Sequence, residues 1–337
     1  MEWMSLLGFG ACVPDPSFRS GLPFPAFDIN RDAIPPLLRR RTSQATQIAF
    51  SAAATACTHA RRSPTALPSI FASVAGEIQT TDLLCIELAK PEGLISPSAF
   101  HNSVQNTAAG YWSIAQQCTQ PASALASGSD TFAMALLEAW CQLACQGGEL
   151  LLVCYDETWP SSLEPDLGEP AFASALVLAS GSVEGSLLHI GRPHREGNAV
   201  ELAPPPNGGR LGGGQVTCLD SSNNVGNSSV LARPHPNPPP MGEGTVELNS
   251  TLLPPSEGEL EWGRCKSEGF PPALESLIAK MPVLAAIPLL SLATVGGDGQ
   301  NTPISPAASG WLVKASPLIS RQDPCRHFVY SDKQSCL

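Results

Sequence analysis

The sequence predicts an α/β fold, a mostly parallel sheet covered by helices on both faces, over residues 1–203. Three observations predict it. Strand-like apolar runs alternate with Ala-rich helical runs from residue 2 to about 200. The clearest helical pattern, Ser129 to Gln146, stops at Gly147 and Gly148 and leads straight into the buried-strand run "ELLLVCYDE". Charged residues are only 15% of the chain, below the usual quarter, and small residues fill the gap, as helices packed closely on a sheet require.

Taken in order, "EWMSLLGFGACV" reads as a first strand, and "RRRTSQATQIAFSAAATACTHA" as a helix with Ile48, Ala49, Ala52, Ala53 and Ala56 on one apolar face. "SIFASVAG" is a short buried strand and "TTDLLCIELA" a further helix. "PASALASGSDTF" packs small residues ahead of Gly128 and a Ser-Asp pair, the composition of a sharp strand-to-helix elbow with Leu125 at its tip. After "ELLLVCYDE", the runs "AFASALVLAS" and "SLLHIG", joined by "GSVEG", read as a β-hairpin.

Beyond residue 203 the character changes. Between Pro204 and Gly244 there are eight Pro and eight Gly in 41 residues, too little apolar surface to offset ordering entropy. "RPHPNPPPMGEG" and "LLPPSEGELEWG" look like a translated inverted DNA repeat, so residues 204–268 are expected to be a disordered Pro/Gly-rich insertion or linker. "PPALESLIAKMPVLAAIPLL" regains a helical, apolar pattern, which makes residues 269–297 a candidate return to the core. Residues 298–337 carry no recognisable pattern.

Charge narrows the function classes. The net charge of −11 argues against nucleic acid as a partner. It is unevenly spread: residues 1–62 hold seven Arg against four acids, +3, which leaves −14 for the remainder. The eleven cysteines show no CxxC pair, and their odd number predicts reduced thiols in a cytoplasmic protein. Cys141 and Cys145 stand four apart on a predicted helix, but no matching His or Cys pair completes a metal site, and they read as buried thiols. The N-terminal apolar run lacks the basic start of a signal peptide, and Cys12 lacks the aliphatic context of a lipidation site, because Phe9 stands there. Met281 to Gly297 contains Pro282 and Pro288 and is short for a bilayer span, so no membrane role is expected. "GGRLGGGQ" lacks the Lys-Ser/Thr ending of a phosphate loop.

The segment "HNSVQNTAAGYWSIAQQCTQPASALASGSD" resembles the condensing enzymes, the β-ketoacyl synthases of the thiolase-like fold. Asn106 through Gly110 match the family's Asn-x-x-x-Gly stretch. Ser123, Ala124, Leu125, Ala126, Ser127 and Gly128 match its Thr-Ala-Cys-x-x-Gly elbow, which sets Leu125 at the nucleophile position. The wording "HNSVQNTAAGYWSIA" and "LLLVCYDE" is similar to the small chain-length factors of aryl-polyene-type clusters. The resemblance spans roughly residues 2–200, is specific over 98–156 and fades beyond.

Active members of that family need a thiolate and two His residues in their C-terminal half to activate and decarboxylate. The six His here, at 59, 101, 189, 194, 235 and 327, stand in neither family context. The resemblance therefore implies an N-terminal thiolase-like half without condensing chemistry of its own. Its partners would be an active β-ketoacyl synthase in a heterodimer and an acyl carrier protein, and no cofactor or metal is called for.

Other readings of the same residues remain open. Ser123 or Ser127, with His101, would make an acyl-transfer or hydrolytic enzyme; otherwise both serines serve the elbow backbone and His101 the core. Arg39, Arg40 and Arg41, expected to open a helix, are either a solvated turn or a docking surface for the acidic carrier. Tyr111 and Trp112, with Thr119 ahead of the elbow strand, are either partner anchors or core. A degenerate, non-functional remnant is the third possibility.

Overall fold

The first strand, β1 (Met4–Cys12), is buried along almost its whole length, which places it inside a sheet rather than at an edge. The computed structural model describes residues 1–163, 169–195, 272–297 and 299–318. The expected insertion at 204–268 lies outside them, as do residues 319–337 of the tail.

After β1 come two short helices, α1 (Pro16–Ser20) and α2 (Pro36–Arg39), and then α3 (Gln44–Ala60). The Ser43 hydroxyl accepts from the Thr46 N–H and caps α3, so the helix starts there. This corrects the expectation that Arg39–Arg41 open it: Pro36 begins a separate turn that Arg39 ends, and Arg40 and Arg41 lie in the link between helices. Next are β2 (Ser69–Ala72), α4 (Ile78–Leu88), α5 (Pro97–Asn102), α6 (Thr107–Gln116), β3 (Ala122–Leu125) and α7 (Thr131–Gln146). Strands β4 (Glu149–Asp156), β5 (Phe172–Ser180), β6 (Leu188–Ile190) and β7 (His194–Arg195) follow. From residue 272 onward the chain adds α8 (Pro272–Lys280), α9 (Ile287–Val295), β8 (Gly299–Pro303) and β9 (Trp311–Pro317). The last two are strands that periodicity did not reveal.

The sheet runs β3-β2-β4-β5-β1-β6-β9-β7, with β8 also on β9. β2 pairs parallel with β3 and β4, whereas β5 lies antiparallel between β4 and β1. The first four strands therefore point one way, as the sequence predicts, but the pairings make a mixed sheet, because β5 separates β1 from the others. The hairpin of β5 and β6 does not form either. β1 lies between them, pairing Met4 with Ser180 on one side and with Ile190 on the other. The connection crosses β1 on the Ser5 hydroxyl, which donates to the Gly181 carbonyl at 2.8 Å and accepts from the Val183 N–H at 2.9 Å.

Alternation sorts the core onto the two faces. Along β4, Leu150, Leu152 and Cys154 pack with Phe132 and Leu136 of α7, Ile278 of α8 and Leu290 of α9. Leu151, Val153 and Tyr155 pack on the other face with Ile48, Ala49 and Ala52 of α3 and with Trp112 of α6. β1 shifts register between Leu6 and Gly8, which turns Gly8 and Gly10 toward α3. A Cβ on either would overlap α3 backbone, at the Ala60 nitrogen and the Ala52 carbonyl oxygen. No helix of the described residues is long and apolar enough to cross a membrane.

Candidate functional site

In sheets with parallel strands, binding groups gather where the strands end. Ala72 pairs with both Leu125 and Cys154, so β2, β3 and β4 end at nearly one level. Leu125 is the last residue of β3; its carbonyl accepts from the Ser73 N–H at 3.1 Å, and its half-buried side chain packs on the α7 face of the core. The elbow is pinned by Thr131 rather than by its serines. The Thr131 hydroxyl donates to the Gly128 carbonyl at 2.7 Å and accepts from the Ser127 N–H at 3.0 Å. Gly128 takes a φ of +52°, which a side chain disfavours, although open space surrounds it.

Ser123 is half-buried and Ser127 exposed, and neither hydroxyl meets a histidine among the described residues. His101 is exposed on α5, without a hydrogen bond to either serine. Nor does a poised thiol stand at this level among the described residues: burial raises the Cys154 thiol far above its ordinary range. Cys12 and Cys57, elsewhere in the core, are pushed up to about 12 by burial. Cys141 and Cys145 are exposed, which corrects the buried reading; the apolar stripe of α7 runs through Leu136, Ala139 and Leu143 instead. Among the described residues no three His, Cys, Asp or Glu side chains are grouped as a metal would need.

Asn106 caps α6 by position without a side-chain bond, and Gly110 faces open space one turn on. The Tyr111 hydroxyl donates to Asn102 Oδ1 at 2.7 Å, and Asn102 Nδ2 donates to the Arg41 carbonyl at 2.7 Å. Asn102 thus joins the arginine stretch to α6, a link that no spacing in the sequence announces. Arg39 is tied to Asp32 at 3.0 Å, while Arg40 and Arg41 are exposed. Thr119 is exposed just ahead of β3. Trp112 is different: at 1% exposure it lies in the core between Phe50 and Phe71. It cannot anchor a partner, because α6 turns this face onto α3 and the sheet.

The sequence reading missed a group of buried acids around these strand ends. Asp156 Oδ1 accepts from the Ser73 hydroxyl at 2.6 Å and the Val74 N–H at 2.9 Å. Glu157 accepts from the Gln79 N–H at 3.0 Å and the Ala45 N–H at 3.2 Å, and Glu77 from the Thr46 hydroxyl at 2.6 Å. The signal was present in "CYDE", two adjacent acids closing a strand buried on both faces. The arrangement can hold the loop after β2 and the start of α4. Among the described residues it presents no nucleophile beside a base.

A model of the β-ketoacyl synthase N-terminal domain matches residues 18–201, more than half of the chain. No curated protein matches. Among solved structures, the ketosynthase ApeO in complex with its chain length factor ApeC from Xenorhabdus doucetiae is similar at 19% identity, over 58% of this chain and 84% of that one, with TM-score 0.47. The ishigamide ketosynthase/chain length factor is similar at 14% identity, over 57% and 67%, with TM-score 0.45. A β-ketoacyl synthase from Burkholderia phymatum STM815 is similar at 12% identity, over 59% and 65%, with TM-score 0.45.

Proposed function

Because this chain belongs to the β-ketoacyl synthase N-terminal domain family, we infer that it is a non-catalytic subunit of the chain-length-factor type. It pairs with an active β-ketoacyl synthase and shapes the tunnel that receives the growing acyl chain. The observation that carries this reading is Leu125. An alkyl side chain ends β3 at the elbow position where the resemblance sets the nucleophile, and it packs into the core as a wall residue. Leu has no lone pair to attack a thioester, so the position contributes shape alone.

The surface around the elbow supports the pairing. Among the described residues β3 pairs with β2 alone, which leaves one edge of hydrogen-bonding groups open. Leu94, Phe100, Val104 and Ile114 are exposed on the segment leading to it. Arg40 and Arg41 offer positive charge to an acidic carrier on an otherwise acidic chain.

The test is co-expression with a β-ketoacyl synthase and an acyl carrier protein. Stable co-purification is expected, and Leu125→Trp should shorten the products while leaving acylation of the synthase unchanged. A chain indifferent to every synthase offered, or an unaltered product profile, would remove the reading.

A further inference from the structure

Glu77, Asp156 and Glu157 are 1%, 2% and 1% exposed, yet no Lys, Arg or His pairs with any of them among the described residues. Among the described residues, Oδ2 of Asp156 and Oε2 of Glu77 have no hydrogen-bond partner. The groups facing them are acidic or neutral. β4 contributes Cys154 and Tyr155, and the N-terminus of α3 offers Ser43, the Ala45 N–H and Thr46. The β2–α4 loop presents Ser73 and the Val74 and Ala75 amides. α4 adds the Gln79 amide and, further along, Asp82, which accepts from Ser162 at 2.7 Å. Donors but no countercharge face these carboxyls among the described residues, so burial disfavours their charged forms and favours retained protons.

The bonds these acids make converge on one segment. Asp156 holds the loop after β2, while Glu157 joins the starts of α3 and α4. Beyond these bonds α4 is held through Gln79 Nε2, which donates to the Thr158 carbonyl at 2.7 Å, and through Asp82 on the Ser162 hydroxyl. Of its eleven residues only Asp82 and Leu84 are buried, and Leu83, Ile86 and Leu88 face outward.

We propose that Glu77, Asp156 and Glu157 form a pH-operated latch that seats residues 73–79, and with them the start of α4, on the ends of β4 and α3. The latch is closed while the carboxyls carry protons, and ionisation releases it through mutual repulsion and desolvation. Burial pushes Asp156 and Glu157 up to about 7, against the donors that favour their charged forms, and burial raises Glu77 as well. For a carboxyl raised on folding, the stabilisation is complete below the ordinary carboxylate range and is lost as pH rises through the folded value. The segment is therefore poised near neutrality. The proposal stands independently of any partner.

Hydrogen exchange on the full chain between pH 5 and 8, corrected for intrinsic amide rates, tests it. Protection at the Val74, Ala75 and Gln79 amides should fall by roughly tenfold or more across that range, while amides of β5 hold. Asp156→Asn keeps an acceptor for Ser73 and Val74 but cannot ionise. It should flatten the profile and exceed wild type in protection at pH 8. Glu157→Gln should flatten it independently. A wild-type profile without this fall overturns the proposal, whatever the variants do, and so does an unchanged slope in both folded variants.

Discussion

Asp130 and Arg195, 65 positions apart, meet at 2.7 Å, and this contact ties the turn after β3 to β7 at the far end of the strand order. Trp311 Nε1 donates to the same carboxylate oxygen at 3.3 Å, and the Arg195 guanidinium lies 5.1 Å from the centre of the Trp311 ring. The elbow is therefore held from outside the parallel strands, by residues on β7 and β9. A guanidinium steadied on an aromatic face and bonded to a carboxylate loses less freedom than a free surface arginine.

Arg195→Ala should destabilise the fold by about 1 kcal/mol, a modest cost because the guanidinium is half-exposed. Burial alone would raise the Asp130 carboxyl, but hydrogen bonds, including those from Arg195 and Trp311, hold it below the usual range. A depressed carboxyl stabilises above its unfolded value, and that contribution is lost as pH falls through the folded one. The gap between wild type and variant in urea denaturation should accordingly be full at neutral pH and close in acid.

Leu125→Cys should not create a condensing enzyme. The new thiol would stand at the end of β3 with no histidine to activate it among the described residues, and its charged form would be disfavoured against the apolar wall. Intact-mass spectrometry after incubation with acyl and malonyl carrier proteins should show no acyl adduct in wild type and no condensation product in either. A stable adduct on Ser123 or Ser127 would revive the hydrolytic reading.

Trp112 and Ile114 separate core from surface on one helix. Trp112→Ala should cost roughly 3–5 kcal/mol of stability, as removal of a fully buried aromatic does. Ile114 is 67% exposed, so Ile114→Asp should leave stability within about 0.5 kcal/mol. If the β3 side is the partner surface, the same change should weaken co-purification with a synthase by roughly tenfold. Thermal melts and pull-down yields read the two effects separately.

Gly10→Ala should destabilise by roughly 3 kcal/mol, because the added methyl must push α3 away from β1 at the Ala52 carbonyl. Gly110→Ala meets nothing within 4 Å and lies within α6. It should be neutral or slightly stabilising. Chemical denaturation of the two variants compares a glycine needed for close approach with one that is not.

The alternation of apolar residues was enough to order most strands and helices from β1 to β6, and the small residues ahead of Gly128 and its Ser-Asp pair placed Leu125 where β3 gives way to α7. Those features are local: period 2 or 3.6 and the Gly147 stop are written within a few residues of where they act. Ser43 was legible in principle as the true start of α3, but the three arginines beside it drew the boundary forward. The tertiary structure alone decided which strands are neighbours. β1 enters between β5 and β6, because a strand buried on both faces needs partners on both edges, and the turn-like "GSVEG" cannot reveal that a distant strand will occupy the gap. It decided also that Trp112 is core, that Asn102 bridges Arg41 to Tyr111, and that Glu77 shares its burial with Asp156 and Glu157. Such contacts depend on how separate elements converge, and the pattern within each element carries no record of it.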